Sequence, residues 1–157
     1  MEALVYNRQR GVKLNRPKVT TFIKGMLSAA GCADLALHVT FVNDAEMQSI
    51  NLETFGKDKP TNVISFPLGG IPGEEEALLG DVIVSVDTTL READVAGLSP
   101  DVRLAQLIIH GFVHLLGYEH VDVPATEQRR MRRKEKQIFD QVAELAKGLV
   151  REEKEKV

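Results

Sequence analysis

Three of the four histidines in this chain, His110, His114 and His120, fall within eleven residues. On a helix, positions 110 and 114 lie four apart and share a face, so their imidazoles can converge on one ion. Gly117 then offers a helix stop, and a turn there can return His120 to the same ion as a third nitrogen ligand. Three neutral imidazoles with an open fourth position form the arrangement expected of a catalytic zinc. The bland alternative, separate surface or core histidines, accounts for a lone pair about as well. It does not account for a third His placed after a well-positioned Gly. His38 has no neighbour in sequence to pair with and reads as structural, and the lone Cys32 reads as a small packed residue rather than a nucleophile.

The spacing His-x-x-x-His-x-x-Gly-x-x-His is similar to that of the metzincin zinc proteases, in which a Glu after the first His serves as general base. Here that position is Gly111. A glycine has no group to take a proton, so peptide hydrolysis of that kind is disfavoured while the metal site itself stands.

These histidines need a helix to carry them, and the pattern supplies one. Ser99-Pro100 is an N-cap and first-turn pair, followed by Leu104, Leu107, Ile108, Val113 and Leu115 at helical spacing, which predicts a buried central helix. Earlier in the chain, Val19, Phe22, Ile23, Met26 and Leu27 form one helical stripe over 17–30, ended by Gly31. Residues 35–42 alternate with a period near two and predict a strand; Asn43 and Glu46 form a capping box for a helix ending by Gly56. Residues 61–67 predict a strand stopped by Pro67, then a turn-rich loop over 68–79, then a strand over 80–87. Asp87 is the predicted cap of a helix through about Ala96, and a long last helix is predicted over about 126–150, with Met131, Ile138, Val142 and Leu145 facing the core. The expected fold is a single α+β domain over 1–157: one mixed sheet of about four strands packed with about five helices, the zinc motif on a central helix, and 151–157 a loose charged tail.

With 157 residues and 43% hydrophobic content, the chain is long enough to close one real core. A single cysteine leaves no internal disulfide, and no basic start with an apolar run and no bilayer-length apolar stretch is found, so a cytoplasmic protein without a membrane partner is expected. The net charge of −3 hides basic ends around an acidic middle. Arg129, Arg130, Arg132, Arg133, Lys134 and Lys136 form a dense run interrupted by one acid, Glu135. Such a run is either a solvated helix face or a polyanion contact. Aromatic residues are only 5% of the chain, so recognition of a single strand would lean on charge and shape more than stacking.

The stretch His110-Gly-Phe-Val-His-Leu-Leu-Gly-Tyr-Glu-His120 resembles the His-Gly-x-x-His-Leu-x-Gly-Tyr-Asp-His signature of the YbeY family, bacterial endoribonucleases also called rRNA maturation factors. Residues 58–67 (Asp-Lys-Pro-Thr-Asn-Val-Ile-Ser-Phe-Pro) and 80–83 (Gly-Asp-Val-Ile) are similar to two further blocks of that family in the same order. The resemblance implies one zinc ion per chain on His110, His114 and His120, and cleavage of single-stranded RNA. It also implies action in 16S rRNA 3′-end maturation and ribosome quality control, on rRNA of the small ribosomal subunit, with ribosomal proteins or an assembly GTPase as possible partners. Two positions depart from it. Glu119 stands where the family has Asp, which keeps the carboxylate and lengthens its reach, and Phe55 stands where the family usually has Arg, which a phenyl ring cannot replace as a phosphate fork. The expected site is therefore His114 and Glu119 as catalytic residues, with Lys57, Lys59, Arg129, Arg130, Arg132 and Arg133 binding RNA. Two other readings stay open: a metal-dependent hydrolase of another substrate class using Glu119 as base, and a non-catalytic ribosome-assembly factor with a structural metal. Attack by the RNA 2′-hydroxyl and attack by an activated water remain alternatives.

Overall fold

The computed structural model describes residues 2–68, 78–118 and 123–151. Among them the chain runs β1 (Glu2–Asn7), α1 (Arg16–Ala29), β2 (Ala36–Val42), α2 (Asp44–Phe55), β3 (Val63–Pro67), β4 (Leu78–Ser85), α3 (Val86–Ala96), α4 (Pro100–Leu115) and α5 (Ala125–Val142). The strands form one mixed sheet in the order β1-β2-β4-β3. β1, β2 and β4 run parallel, and β3 is antiparallel to β4. This is the expected α+β fold with its sheet of about four strands; edge strand β1 is the one whose place the sequence pattern does not reveal.

Strand alternation sorts the core into two layers. Leu37, Val39, Phe41, Val82 and Val84 point to the main core, where Phe22, Ile23 and Met26 of α1, Leu104, Ile108 and Phe112 of α4, and Met131, Ile138 and Val142 of α5 meet them. Their neighbours Val42 and Ile64 point the other way and pack under Met47 of α2 in a smaller cluster. α4 is thus pressed between sheet and α5, as its almost continuous apolar surface requires.

The caps depart from expectation in instructive ways. Asn43 Oδ1 accepts from the Glu46 amide at 2.9 Å, but the Glu46 carboxylate pairs with Arg8 at 2.7 Å, so only half of the capping box forms. Ser85, not Asp87, caps α3, accepting from the Thr88 amide at 3.3 Å. Asp87 serves α2 instead, accepting from the Asp44 amide at 2.9 Å. The last helix ends at Val142 and passes through a short 3-10 turn over Ala143–Ala146. It stops short of 150 because the chain is pulled away: Asp101, in the first turn of α4, accepts the amides of Gly148 and Val150 at 2.8 Å each, and Val150 bridges to Leu14. Leu145 accordingly stays 38% exposed. Residues 152–157 of the expected tail lie outside the described residues.

Candidate functional site

The last two turns of α4 carry His110 and His114. Their Nε2 atoms lie 3.3 Å apart, and the rings meet edge to face with centroids 4.7 Å apart. Glu135 of α5 lies behind the first ring, its Oε1 2.5 Å from His110 Nδ1. A carboxylate can only accept, so Nδ1 is the donor of this pair, and Nε2 is left turned toward His114. Two nitrogens about 2.05 Å from a tetrahedral zinc lie roughly 3.3 Å apart, so this pair fits one edge of such a site. Among the described residues no group of three or more His, Cys, Asp or Glu is close enough to hold a metal. The expected third ligand, His120, and the expected catalytic Glu119 lie outside the described residues.

Gly111 gives the helix its seat. A Cβ there would come within 2.7 Å of Val82 Cγ1 and 3.0 Å of Val63 Cγ2, so any side chain would force α4 off the sheet. Ser65 of β3 donates through Oγ to the Gly111 carbonyl at 2.8 Å and pins the approach. The missing base of the metzincin pattern thus has a positive explanation, since position 111 faces the sheet rather than the histidines. One turn beyond the helix, Gly117 adopts φ +99, a left-handed conformation that side chains disfavour.

Two clefts meet at His110 and Asn62. The first, of about 590 Å³, is lined by both histidines together with Phe55, Lys57, Lys59 and Ser65. Neither lysine forms an ion pair with a described residue. The turn that carries them is tied down by buried Asn51, whose Nδ2 donates to the Lys59 carbonyl at 2.9 Å. Phe55 presents its ring here with 56% exposure. The second cleft, of about 390 Å³, runs between α4 and α5 and is lined by Arg103, Gln106, His110, Arg132, Glu135 and Phe139 among others.

The arginine run on α5 is dealt over several faces. Arg132 enters the second cleft. Arg130 pairs with Glu127 at 3.1 Å and lies 5.8 Å over the Tyr118 ring, in a shallow depression that it shares with Arg133. Arg129 lines none of these cavities. Of the six expected RNA contacts, the structure brings Lys57, Lys59 and Arg132 beside the histidine pair and leaves Arg129, Arg130 and Arg133 outside both clefts.

Sequence reasoning missed Glu135 as a partner of His110. Its signal was present as the single acid inside the basic run, but the pairing spans 25 positions between two helices. His38 is structural as expected, with a partner from the adjacent strand: Asp81 Oδ1 lies 3.1 Å from its Nδ1, and Tyr6 meets its ring edge-on. Burial raises the Cys32 thiol above its ordinary pKa, with the Lys134 charge acting the other way, and Sγ donates to the Ala30 carbonyl at 3.5 Å. That is a packed, protonated thiol with no catalytic neighbour among the described residues.

A family model described as Endoribonuclease YbeY matches residues 4–143. Endoribonuclease YbeY of Geobacter metallireducens is 40% identical over 141 residues, which are 88% of this chain and 94% of that protein. The protein of the same name from Aquifex aeolicus is 36% identical, with 83% and 86% covered. The solution structure of TM1509 from Thermotoga maritima has a TM-score of 0.63 over 89% of this chain and 88% of that one, at 21% identity, and so shares the fold. The signature stretch around His110, the sheet that seats it and these matches lead to one assignment: the chain belongs to the YbeY endoribonuclease family.

Proposed function

We propose that the chain is a zinc-dependent endoribonuclease that cuts single-stranded RNA in the cytoplasm, acting in 16S rRNA 3′-end maturation and ribosome quality control. The observation that carries this reading is the convergence of His110 and His114 Nε2, 3.3 Å apart, on the wall between two basic clefts. In this reading His110, His114 and His120 hold one zinc per chain, with ribosomal proteins or an assembly GTPase as partners on the small subunit. A zinc ion so held supplies Lewis acidity toward a phosphoryl oxygen and toward water. Lys57 and Lys59 draw the phosphodiester into the first cleft as point charges, without the bidentate fork of an arginine. The exposed Phe55 ring offers a base one stacking face in place of that fork. Glu135 keeps the Nδ1 proton on His110 and fixes the ring. Glu119 is the proposed proton carrier.

The test is cleavage of a single-stranded RNA by zinc-loaded protein, with His114→Ala and a peptide panel alongside. RNA cleavage lost in His114→Ala supports the reading. Peptide cleavage lost in that variant, with RNA untouched, would replace it with a hydrolase of another class. A 2′-deoxy nucleotide at the cut site separates the two attack routes, because only attack by the 2′-hydroxyl is abolished. A non-catalytic assembly factor is the second reading, favoured by Phe55 at the position where an arginine fork is expected. It predicts intact RNA in both proteins and a large loss of thermal stability in His114→Ala.

A further inference from the structure

The cleft between α4 and α5 is built for more than packing. Arg103, Gln106 and His110 follow one another along one face of α4, and Arg132, Lys136 and Phe139 along the facing side of α5. Its floor is prearranged. Glu92 accepts from Arg103 Nη2 at 2.9 Å and from Asn62 Nδ2 at 3.2 Å, which neutralises Arg103 and fixes both side chains. Arg103 Nη1 donates in turn to Gln106 Oε1 at 2.9 Å, so the Gln106 amide must keep its oxygen toward Arg103 and its NH2 for whatever enters. Among the described residues Arg132 forms no ion pair and Lys136 pairs only with the exposed Asp140.

The cleft therefore combines a guanidinium with no ion-pair partner among the described residues, an oriented NH2 donor, and the partly buried ring of Phe139. Those are the groups that hold a phosphate, an acceptor on a base edge, and a base face. It shares His110 and Asn62 with the cleft that carries Lys57 and Lys59, so a strand crossing the histidine pair leaves one cleft and enters the other. We propose that the α4–α5 cleft is a second nucleotide subsite, in which Arg132 holds the phosphate flanking the cleaved one and Gln106 and Phe139 receive the attached nucleoside. This inference rests on the proposed RNA substrate and adds the path of the strand and the residue that reads its next phosphate.

The test is a set of single-stranded RNA oligomers with one cleavage site, each carrying a neutral methylphosphonate at a different linkage. Each is assayed for kcat/KM and for Kd by fluorescence anisotropy, with wild-type protein and Arg132→Ala. Arg132 is exposed, so its removal leaves the core intact. A lost charge-assisted phosphate contact corresponds to a loss of about tenfold or more. The expected result is that loss at one linkage beside the cut in wild-type protein, with less than about a twofold effect at the same linkage in Arg132→Ala. Equal sensitivity of the two proteins at every linkage would overturn the proposal. If the unmodified oligomer is bound but not cut, the nuclease reading fails, and the same comparison made on Kd still decides the subsite. Loss of all binding by the wild-type protein would sink both.

Discussion

Two imidazole–carboxylate pairs of similar exposure stand among the described residues, and they differ in what surrounds them. His38 and Asp81 sit side by side across neighbouring strands at 3.1 Å, with Tyr6 against the ring. His110 and Glu135 face each other between two helices at 2.5 Å, with a second imidazole 3.3 Å beyond and a cleft on either side. A carboxylate partner alone orients a histidine. A second nitrogen on the far side, and space for a ligand, make the orientation chemically useful. The contrast arises from backbone geometry, since a sheet row sets side chains next to one another while the i, i+4 relation of a helix aims two rings at one point.

The comparison breaks first if the two histidines behave alike. On the proposed zinc site, His114→Ala should lower RNA cleavage by on the order of 10³-fold or more. His38→Ala should leave kcat/KM within about twofold, because its pair touches neither cleft. Comparable losses in the two variants would erase the distinction. The carboxylates sharpen it next. Glu135→Gln should weaken zinc affinity by about 10–100-fold, read by competition with a chromogenic chelator. Asp81→Asn should leave that affinity unchanged.

Gly111→Ala tests whether the helix seat matters independently of the ligands. The added methyl group meets Val82 and Val63, and overpacking of this kind costs about 1–3 kcal/mol, measurable by urea unfolding. Cleavage should fall as well, because α4 must shift from the sheet to admit it. A fully stable and active variant would show that the approach of α4 at Gly111 is not what positions the histidines.

A third carboxylate supplies the smallest effect and a purely structural reference. Burial acts to raise the Asp44 pKa, but hydrogen bonds from Arg91, Thr88 and Ser85 and the Arg91 charge outweigh it and hold the group below its ordinary value. A carboxyl depressed in the folded state contributes stability that is present above its unfolded pKa and lost as pH falls through the folded value. Thermal unfolding followed from pH 7 downward should therefore show that contribution intact above about pH 4 and fading below it. Asp44→Asn should be about 1–2 kcal/mol less stable at pH 7 and should lack this part of the acid dependence.

The parts legible in sequence were those whose signal is local. The α4 stripe, the Ser99 cap, the i, i+4 histidines and the Gly117 stop all lie within one helix and its ends, and each stands where its spacing predicts. Edge strand β1 was not legible, because only Val5 of its described side chains is buried and its pairing with β2 is parallel and distant in sequence. The early end of α5 was hidden for the same reason, since the Asp101 carboxylate that captures Gly148 and Val150 comes from another helix. Glu135 sat in view as an interruption of a basic run, but only the α4–α5 packing turns it toward His110. The division of the arginines among faces likewise requires knowing which side of α5 meets α4. For Lys57 and Lys59, by contrast, sequence proximity to the Pro-Thr block was enough to bring them to the cleft that both histidines line.

The most direct measurement is a zinc titration of chelator-stripped protein, with elemental analysis and cleavage of a single-stranded RNA recorded on the same samples. Cleavage should rise with bound zinc and level off at about one ion per chain, and His114→Ala should gain neither metal nor activity. Metal-free protein that cuts RNA as fast as the loaded protein, or a His114→Ala variant that retains its zinc, would contradict the assignment of this histidine pair as the catalytic metal site.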